Sequence, residues 1–237
     1  MSRKSGAKPS RTLAIGDIHG CLTPFVALIE SIAPTRDDHL ILLGDVIDRG
    51  PDPAGVLRRV ISLRESFPRL TMLIGNHEQM MLEARDSQAK LADWRQNGGE
   101  TTLSSYGGIR GTLRHVPKEH WEFLERSLAN YAESDTHIFV HASAYPDHPM
   151  DEQPNYILRW ECCERTPPHD SGKVIVCGHT PQLDGSPLNR GHLICIDTHA
   201  HGGGPLTCLH AESGRIWQAS PNGRVVRSHI SDYGSNA

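Results

Sequence analysis

Five short stretches carry the residues able to do chemistry, and they share one form. "GDIHG" holds Asp17, His19 and Gly20, and "GDVIDRGP" holds Asp45, Asp48 and Arg49. "GNHE" holds Asn76, His77 and Glu78, "VHA" holds His141, and "GHT" holds His179. Each begins where an apolar run stops, and most are introduced by a small residue that permits close backbone approach. Singly, each has an ordinary explanation. An Asp or Asn after a strand caps or turns the chain, and a strand-end His is more often a rim residue than a ligand. Together, three His, two Asp and one Asn form a mixed nitrogen–oxygen donor set without thiolate. That set suits Mn²⁺, Fe or Zn²⁺ over Cu(I) or an iron–sulfur cluster. Six donors exceed one catalytic zinc, which takes three and keeps an open position. They match two ions sharing a carboxylate, about 3.5–4 Å apart.

The elements that must position these residues are legible as apolar runs. "TLAIG" (12–16), "HLILLG" (39–44) and "LTMLIG" (70–75) read as buried strands. Between them lie "TPFVALIESIA", with Thr23 as N-cap and Pro24 at the first helical position, and "DPAGVLRRVISLRES", which repeats that start. "PKEHWEFLERSLAN" reads as another helix, with Trp121, Leu124 and Leu128 along one side. "HIFVHA", "VIVCGHT", "HLICIDT" and "LTCLHA" supply four more strands, the last two joining "RIWQA" in an antiparallel meander. A β-α-β-α-β beginning implies a partly parallel sheet with helices on its faces. The strand-rich second half implies a second sheet, back to back with the first. The fold expected is α/β (α+β), two sheets flanked by helices. In such sheets the carboxyl ends of the strands converge and hold ligands.

Composition sets bounds on this reading. With 237 residues, 37% hydrophobic, the chain can build one large domain. A net charge of -4 gives no reason to expect nucleic-acid binding, and no apolar run of membrane-spanning length occurs. The organisation expected is a disordered basic tail at 1–11, one domain at 12–220 and a polar tail at 221–237. Segments at about 79–135 and 145–172 form a rim or lid over the strand ends. No secretory leader is read, so the expected location is cytoplasmic. The six cysteines (Cys21, Cys162, Cys163, Cys177, Cys195 and Cys208) include no CxxC pair. They are expected reduced and structural, with the adjacent Cys162 and Cys163 the redox-sensitive alternative.

Competing motifs fail. "HEQMM" is not H-E-x-x-H, because position 81 is Met81. No G-x-S-x-G elbow, phosphate-binding P-loop or dinucleotide fingerprint is present. In order and content, "GDIHG", "GDVIDRG", "GNHE", His141 and "GHT" closely resemble the calcineurin-like metallophosphoesterases. "GNHEQMM" and "WRQNGG" (94–99) are similar to the phosphoprotein phosphatase branch, and within it to the bacterial and phage lambda-type serine/threonine phosphatases. The resemblance runs from about Thr12 to Ala219.

The resemblance implies an α-β-β-α sandwich with a dinuclear centre of two divalent ions, Mn²⁺ being expected first and Fe or Zn²⁺ as alternatives. It implies Asp17 and His19 on one ion, Asp45 bridging, and Asn76, His141 and His179 on the second. It implies His77 as general acid oriented by Asp48, a metal-activated water for in-line attack, and Arg49 and Asn76 on the substrate phosphate. A further phosphate-binding arginine falls on Arg159 or Arg165, of which Arg159 is taken. "DTHAHGGG" departs from the family's small residue after "DT"; His199 and His201 are either groove groups or exposed loop residues. The implied activity is phosphomonoester hydrolysis on phosphorylated protein or peptide, with dual specificity as an extension. Symmetrical diadenosine-tetraphosphate hydrolysis is the alternative, and a non-catalytic scaffold a third reading.

Overall fold

In the computed structural model, which describes residues 10–234, alternating side chains sort themselves onto three apolar layers. In β1 (Thr12–Ile15) and β2 (His39–Leu42), Leu13, Ile15, Leu40 and Leu42 face the helices. Ala14 and Ile41 face the other way, toward the second sheet. The same period of two continues through β3 (Leu70–Leu73), β4 (Leu128–Ala129) and β5 (Tyr131–Glu133) to β6 (His137–Val140) and β7 (Val174–Cys177). Phe139 and Val176 point between the sheets, while Ile138, Val140, Ile175 and Cys177 point outward. The chain closes with β8 (Leu188–Asn189), β9 (Leu193–Cys195), β10 (Leu206–His210), β11 (Arg215–Ala219) and β12 (Val225–His229).

One sheet has the order β12-β11-β10-β1-β2-β3-β4, the other β5-β6-β7-β9-β8. β1 to β4 run parallel and β10 to β12 antiparallel; β6, β7 and β9 run parallel, with antiparallel β5 and β8 at the edges. Two mixed sheets therefore pack face to face, as the sequence implied. Helices α1 (Leu22–Ile32), α2 (Pro53–Ser66), α3 (Asn76–Glu83), α4 (Gln88–Trp94), α5 (Glu100–Gly107) and α6 (Lys118–Arg126) follow the first sheet's strands. α7 (Asn155–Trp160) and the loops around it cover the outer face of the second.

Several boundaries differ from the sequence reading. α1 starts at Leu22 behind Cys21, so Thr23 is not its cap; α2 does start as expected, with Asp52 accepting from the Gly55 amide ahead of Pro53. The helix beginning at Lys118 stops at Arg126, and Leu128 joins the sheet beside β3. β9 belongs to the second sheet, so the terminal meander consists of β10, β11 and β12. The segment read as a polar C-terminal tail thus supplies β12, whose largely exposed side chains suit an edge strand. Of the basic N-terminal tail, residues 1–9 lie outside the described residues, while Ser10 and Arg11 are bonded to Asp38. Segment 79–135 does more than form a rim: Trp94, Leu103, Phe123 and Leu124 enter the helical-side core. No helix among the described residues is long and apolar enough to cross a membrane.

Candidate metal and phosphate site

Parallel β1, β2 and β3 deliver their motifs along one edge of the first sheet, and β6 and β7 theirs along one edge of the second. The two edges are tied together at His141, whose Nδ1 lies 2.8 Å from the Leu43 carbonyl. The backbone is bent hard to do this. Seven non-glycine residues among those described have positive φ, and six belong to the predicted motifs or the β9 loop: His19, Asp45, Asp48, Arg49, His179 and His199. Each such residue costs on the order of 1–3 kcal/mol, tolerated when packing over-determines the position. Two glycines bring carboxylates against backbone. A Cβ on Gly178 would lie 1.9 Å from Asp17 Oδ1, and one on Gly75 would lie 2.1 Å from Asp45 Oδ1.

Asp45 is the hub. Its Oδ2 lies 3.6 Å from His19 Nε2, 3.5 Å from His141 Nε2 and 3.9 Å from His77 Nε2. Asn76 Oδ1 lies 3.0 Å from His141 Nε2 and 3.1 Å from His179 Nδ1. Asp17 accepts from the His179 amide at 3.1–3.2 Å. His19, Asp45 and His77 form one group of donors within 4.8 Å of one another; Asp45, His141 and His179 form another.

Tautomers test whether this set suits cations. His19 Nδ1 faces the Ile47 carbonyl, His141 Nδ1 the Leu43 carbonyl and His179 Nε2 the Trp160 carbonyl. A carbonyl only accepts, so those nitrogens carry the protons and the opposite nitrogens present lone pairs. Burial lowers the pKa of all three rings, that of His141 to about 4, which keeps them neutral. The lone pairs of His141 and His179 then both face Asn76 Oδ1, itself an acceptor. Acceptors turned toward acceptors around a buried carboxylate are what a cation resolves, with each ring held by its second nitrogen. The residues fit divalent ions.

The carboxylates and His77 differ from those rings. Burial pushes Asp17 up, reinforced by Asp197 and Asp45. Burial would also raise Asp45, but His141, His77, His19 and His179 outweigh it and hold that group down. For His77, burial opposes charge, while Asp45 and a 2.7 Å bond from Nδ1 to Asp48 Oδ2 prevail and raise its pKa. Its Nε2 is buried without a hydrogen-bond partner. Arg49 Nη1 reaches 3.1 Å from His19 Nε2, and the side chain is otherwise exposed.

Arg159 is not drawn into the cluster. Its guanidinium donates to Gln79 Oε1 at 3.2 Å and Asn130 Oδ1 at 2.6 Å, and Nε is buried without a partner. His199 and His201 are half-buried. The His201 ring meets His19 edge-on at 4.8 Å and His199 at 4.7 Å.

Sequence reasoning missed four groups. Asp197, at the end of β9, is buried; burial first, then the Asp45 charge, raises its pKa to about 7. It ends a strand in the same way as the other five motifs, which is the signal that could have found it. Trp94 Nε1 and Thr102 Oγ1 donate to Asp48 at 2.7 and 2.5 Å. The fourth is Glu78, at the start of α3. It accepts the amides of Asp45, Val46 and Gly75 at 2.8–2.9 Å, reaching back to the helix N-cap and pinning the β2 loop.

The family model described as calcineurin-like phosphoesterase matches residues 10–183. The chain is similar to "Serine/threonine-protein phosphatase 1" of Salmonella typhimurium, 47% identical over 136 residues, 56% of this chain and 58% of that protein. It is also similar to "Bis(5'-nucleosyl)-tetraphosphatase, symmetrical" of Nitrosomonas europaea, 31% identical over 148 residues, 60% of this chain and 47% of that protein. The matches thus span about half the length of these curated relatives. The crystal structure of a cold-active protein-tyrosine phosphatase from a psychrophilic Shewanella shares the fold. Its TM-score is 0.63 at 19% identity, covering 92% of this chain and 80% of that one.

Proposed function

The chain belongs to the calcineurin-like phosphoesterase family, and from that premise we propose that it is a metal-dependent phosphatase acting on phosphoserine and phosphothreonine in proteins or peptides. The observation that carries the reading is the His77–Asp48 pair, with Asp48 held by Trp94 and Thr102. The alkoxide of a serine or threonine ester is strongly basic and leaves only with a proton. A nucleoside diphosphate leaves readily as an anion near neutral pH. A buried imidazole with a raised pKa and a clamped partner is suited to the first case. Similarity to the Salmonella phosphatase supports the same reading.

In this proposal Asp17 and His19 would hold one divalent ion and Asn76, His141 and His179 the other, with Asp45 shared. Mn²⁺ is the first choice, with Fe or Zn²⁺ as alternatives. When bound, the ions supply charge neutralisation and an activated water. Arg49 clamps the phosphate oxygens with its planar fork, beside the Asn76 amide. Arg159, which gives one donor to Gln79 and one to Asn130, is the second candidate for the phosphate. His77 Nε2 delivers its proton to the departing oxygen while Asp48 Oδ2 holds Nδ1. Such an acid contributes about 10²–10⁴ in rate. No covalent phosphoenzyme is required.

Symmetrical dinucleoside-tetraphosphate hydrolysis is the second reading, favoured by the similarity to the Nitrosomonas protein. The test is phosphate release from a phosphoserine peptide beside hydrolysis of diadenosine tetraphosphate, with the same Mn²⁺-loaded protein. Preference for the peptide is expected. Strong preference for the dinucleotide would overturn the substrate assignment and leave the family intact.

A further inference from the structure

On the outer face of the second sheet, three cysteines from three separate elements converge. Cys177 and Cys195 are register partners on the parallel strands β7 and β9. Cys163 comes down onto them from the turn that follows α7. All three are fully buried, and their sulfurs lie within 4.8 Å of one another. The other three cysteines take no part in the group.

A single buried thiol is ordinarily a small hydrophobe. Three sulfurs around one point are a ligand set. With metal–sulfur bonds of about 2.3 Å, three thiolates on one ion stand about 3.8–4 Å apart. Closing from the observed spacing therefore needs only tenths of an ångström at each sulfur. The cluster lies in the apolar outer layer with Val140, Leu158 and Leu193, and a few polar groups reach it. Cys195 Sγ donates toward the carbonyls of Gly178 and Thr180 at 3.4 Å, and the Cys163 amide donates to Thr180 Oγ1 at 3.1 Å. Arg190, whose guanidinium reaches the Glu164 carbonyl, puts a positive charge near Cys163. We propose that Cys163, Cys177 and Cys195 form a separate metal site that takes one soft d¹⁰ cation of the Zn²⁺, Cd²⁺ or Cu(I) class as three thiolates.

Binding breaks three S–H bonds, forms three metal–sulfur bonds and releases three protons to solvent. Softness separates this site from the Asp–His centre, which contains no sulfur. The two are nevertheless joined. The turn bearing Cys163 follows Trp160, whose carbonyl fixes His179, and Thr180 lies next to His179. A cation here would lock that turn to the sheet.

The test uses the full-length, reduced protein with its Asp–His centre loaded with Mn²⁺, titrated with Cd²⁺. The readouts are thiolate-to-cadmium ultraviolet absorption and bound Cd²⁺ per chain after gel filtration. The band should saturate at one Cd²⁺ per chain. It should lose most of its amplitude in C163S, C177S and C195S and persist in C21S, C162S and C208S. Cd²⁺ exchanging into the Asp–His centre gives no such band. Cys163 lies on a turn, so C163S, with its circular dichroism checked, decides the matter if the strand variants do not fold. No band from the folded wild type at several equivalents, or a full band in C163S, would overturn the proposal.

Discussion

The indole of Trp94 and the imidazole of His77 put their protons on the same oxygen, Asp48 Oδ2, each at 2.7 Å. Thr102 takes the other oxygen. Asp48 is fully buried in the left-handed region of backbone space, so it can neither turn away nor be replaced by water. The proton inventory of His77 is thereby set by residues from "GDVIDRG", "GNHE" and "WRQNGG" acting as one unit.

Replacing Asp48 with Asn should leave the metal content unchanged and cut turnover of a phosphoserine peptide by about 10²–10³. Trp94→Phe removes one donor from the same oxygen. It should cost about 1–3 kcal/mol of stability and about tenfold in turnover. Elemental analysis alongside steady-state kinetics distinguishes these effects from loss of metal.

Glu78 should behave as a structural residue. Glu78→Ala leaves three buried amides without an acceptor, a loss of about 3 kcal/mol or more. A drop in Tm of about 6–12 °C is expected at this chain length. Calorimetry of the metal-free protein isolates this from ligand effects.

Gly178→Ala places a methyl group on Asp17 Oδ1. The chain should fold, with near-native circular dichroism, but bind about one divalent ion in place of two, because Asp17 must swing away. Unchanged stoichiometry would argue that Asp17 is not a ligand.

Far from the site, Asp38 is buried and bonded to Arg11, Ser10 and Thr35, which together outweigh burial and hold its pKa below the ordinary range. A depressed carboxylate pKa stabilises the fold fully above about pH 4 and loses that contribution as pH falls toward the folded value. Asp38→Asn should therefore destabilise the protein by about 2 kcal/mol near neutrality, with the difference shrinking as the pH is lowered below 4. Denaturant midpoints from pH 7 to 3 check this.

Most of the proposed site could be read from sequence because each proposed donor follows a strand, and strand ends in a parallel sheet meet by topology alone. Asp17, His19, Asp45, Asn76, His141 and His179 needed no knowledge of side-chain packing. What packing decides was not legible. Trp94 and Thr102 reach Asp48 from α4 and α5 across the helical-side core, and nothing in their spacing announces it. Leu128 has helical periodicity but lies beside β3, where sheet pairing overrides local propensity. Arg159 carried the right side chain near a Trp, yet Gln79 and Asn130 hold it. The three sulfurs come from two strands and a turn, so only the fold reveals them as neighbours.

The central claim is that His77 protonates a leaving group rather than holding a metal. The most direct measurement compares His77→Asn with wild type on a phosphoserine peptide and on p-nitrophenyl phosphate, whose phenolate leaves without a proton, with bound metal counted in both proteins. The account predicts two ions retained, peptide turnover down by about 10²–10⁴, and a much smaller loss on the aryl ester. Equal losses on both substrates, or loss of an ion with the imidazole, would contradict it.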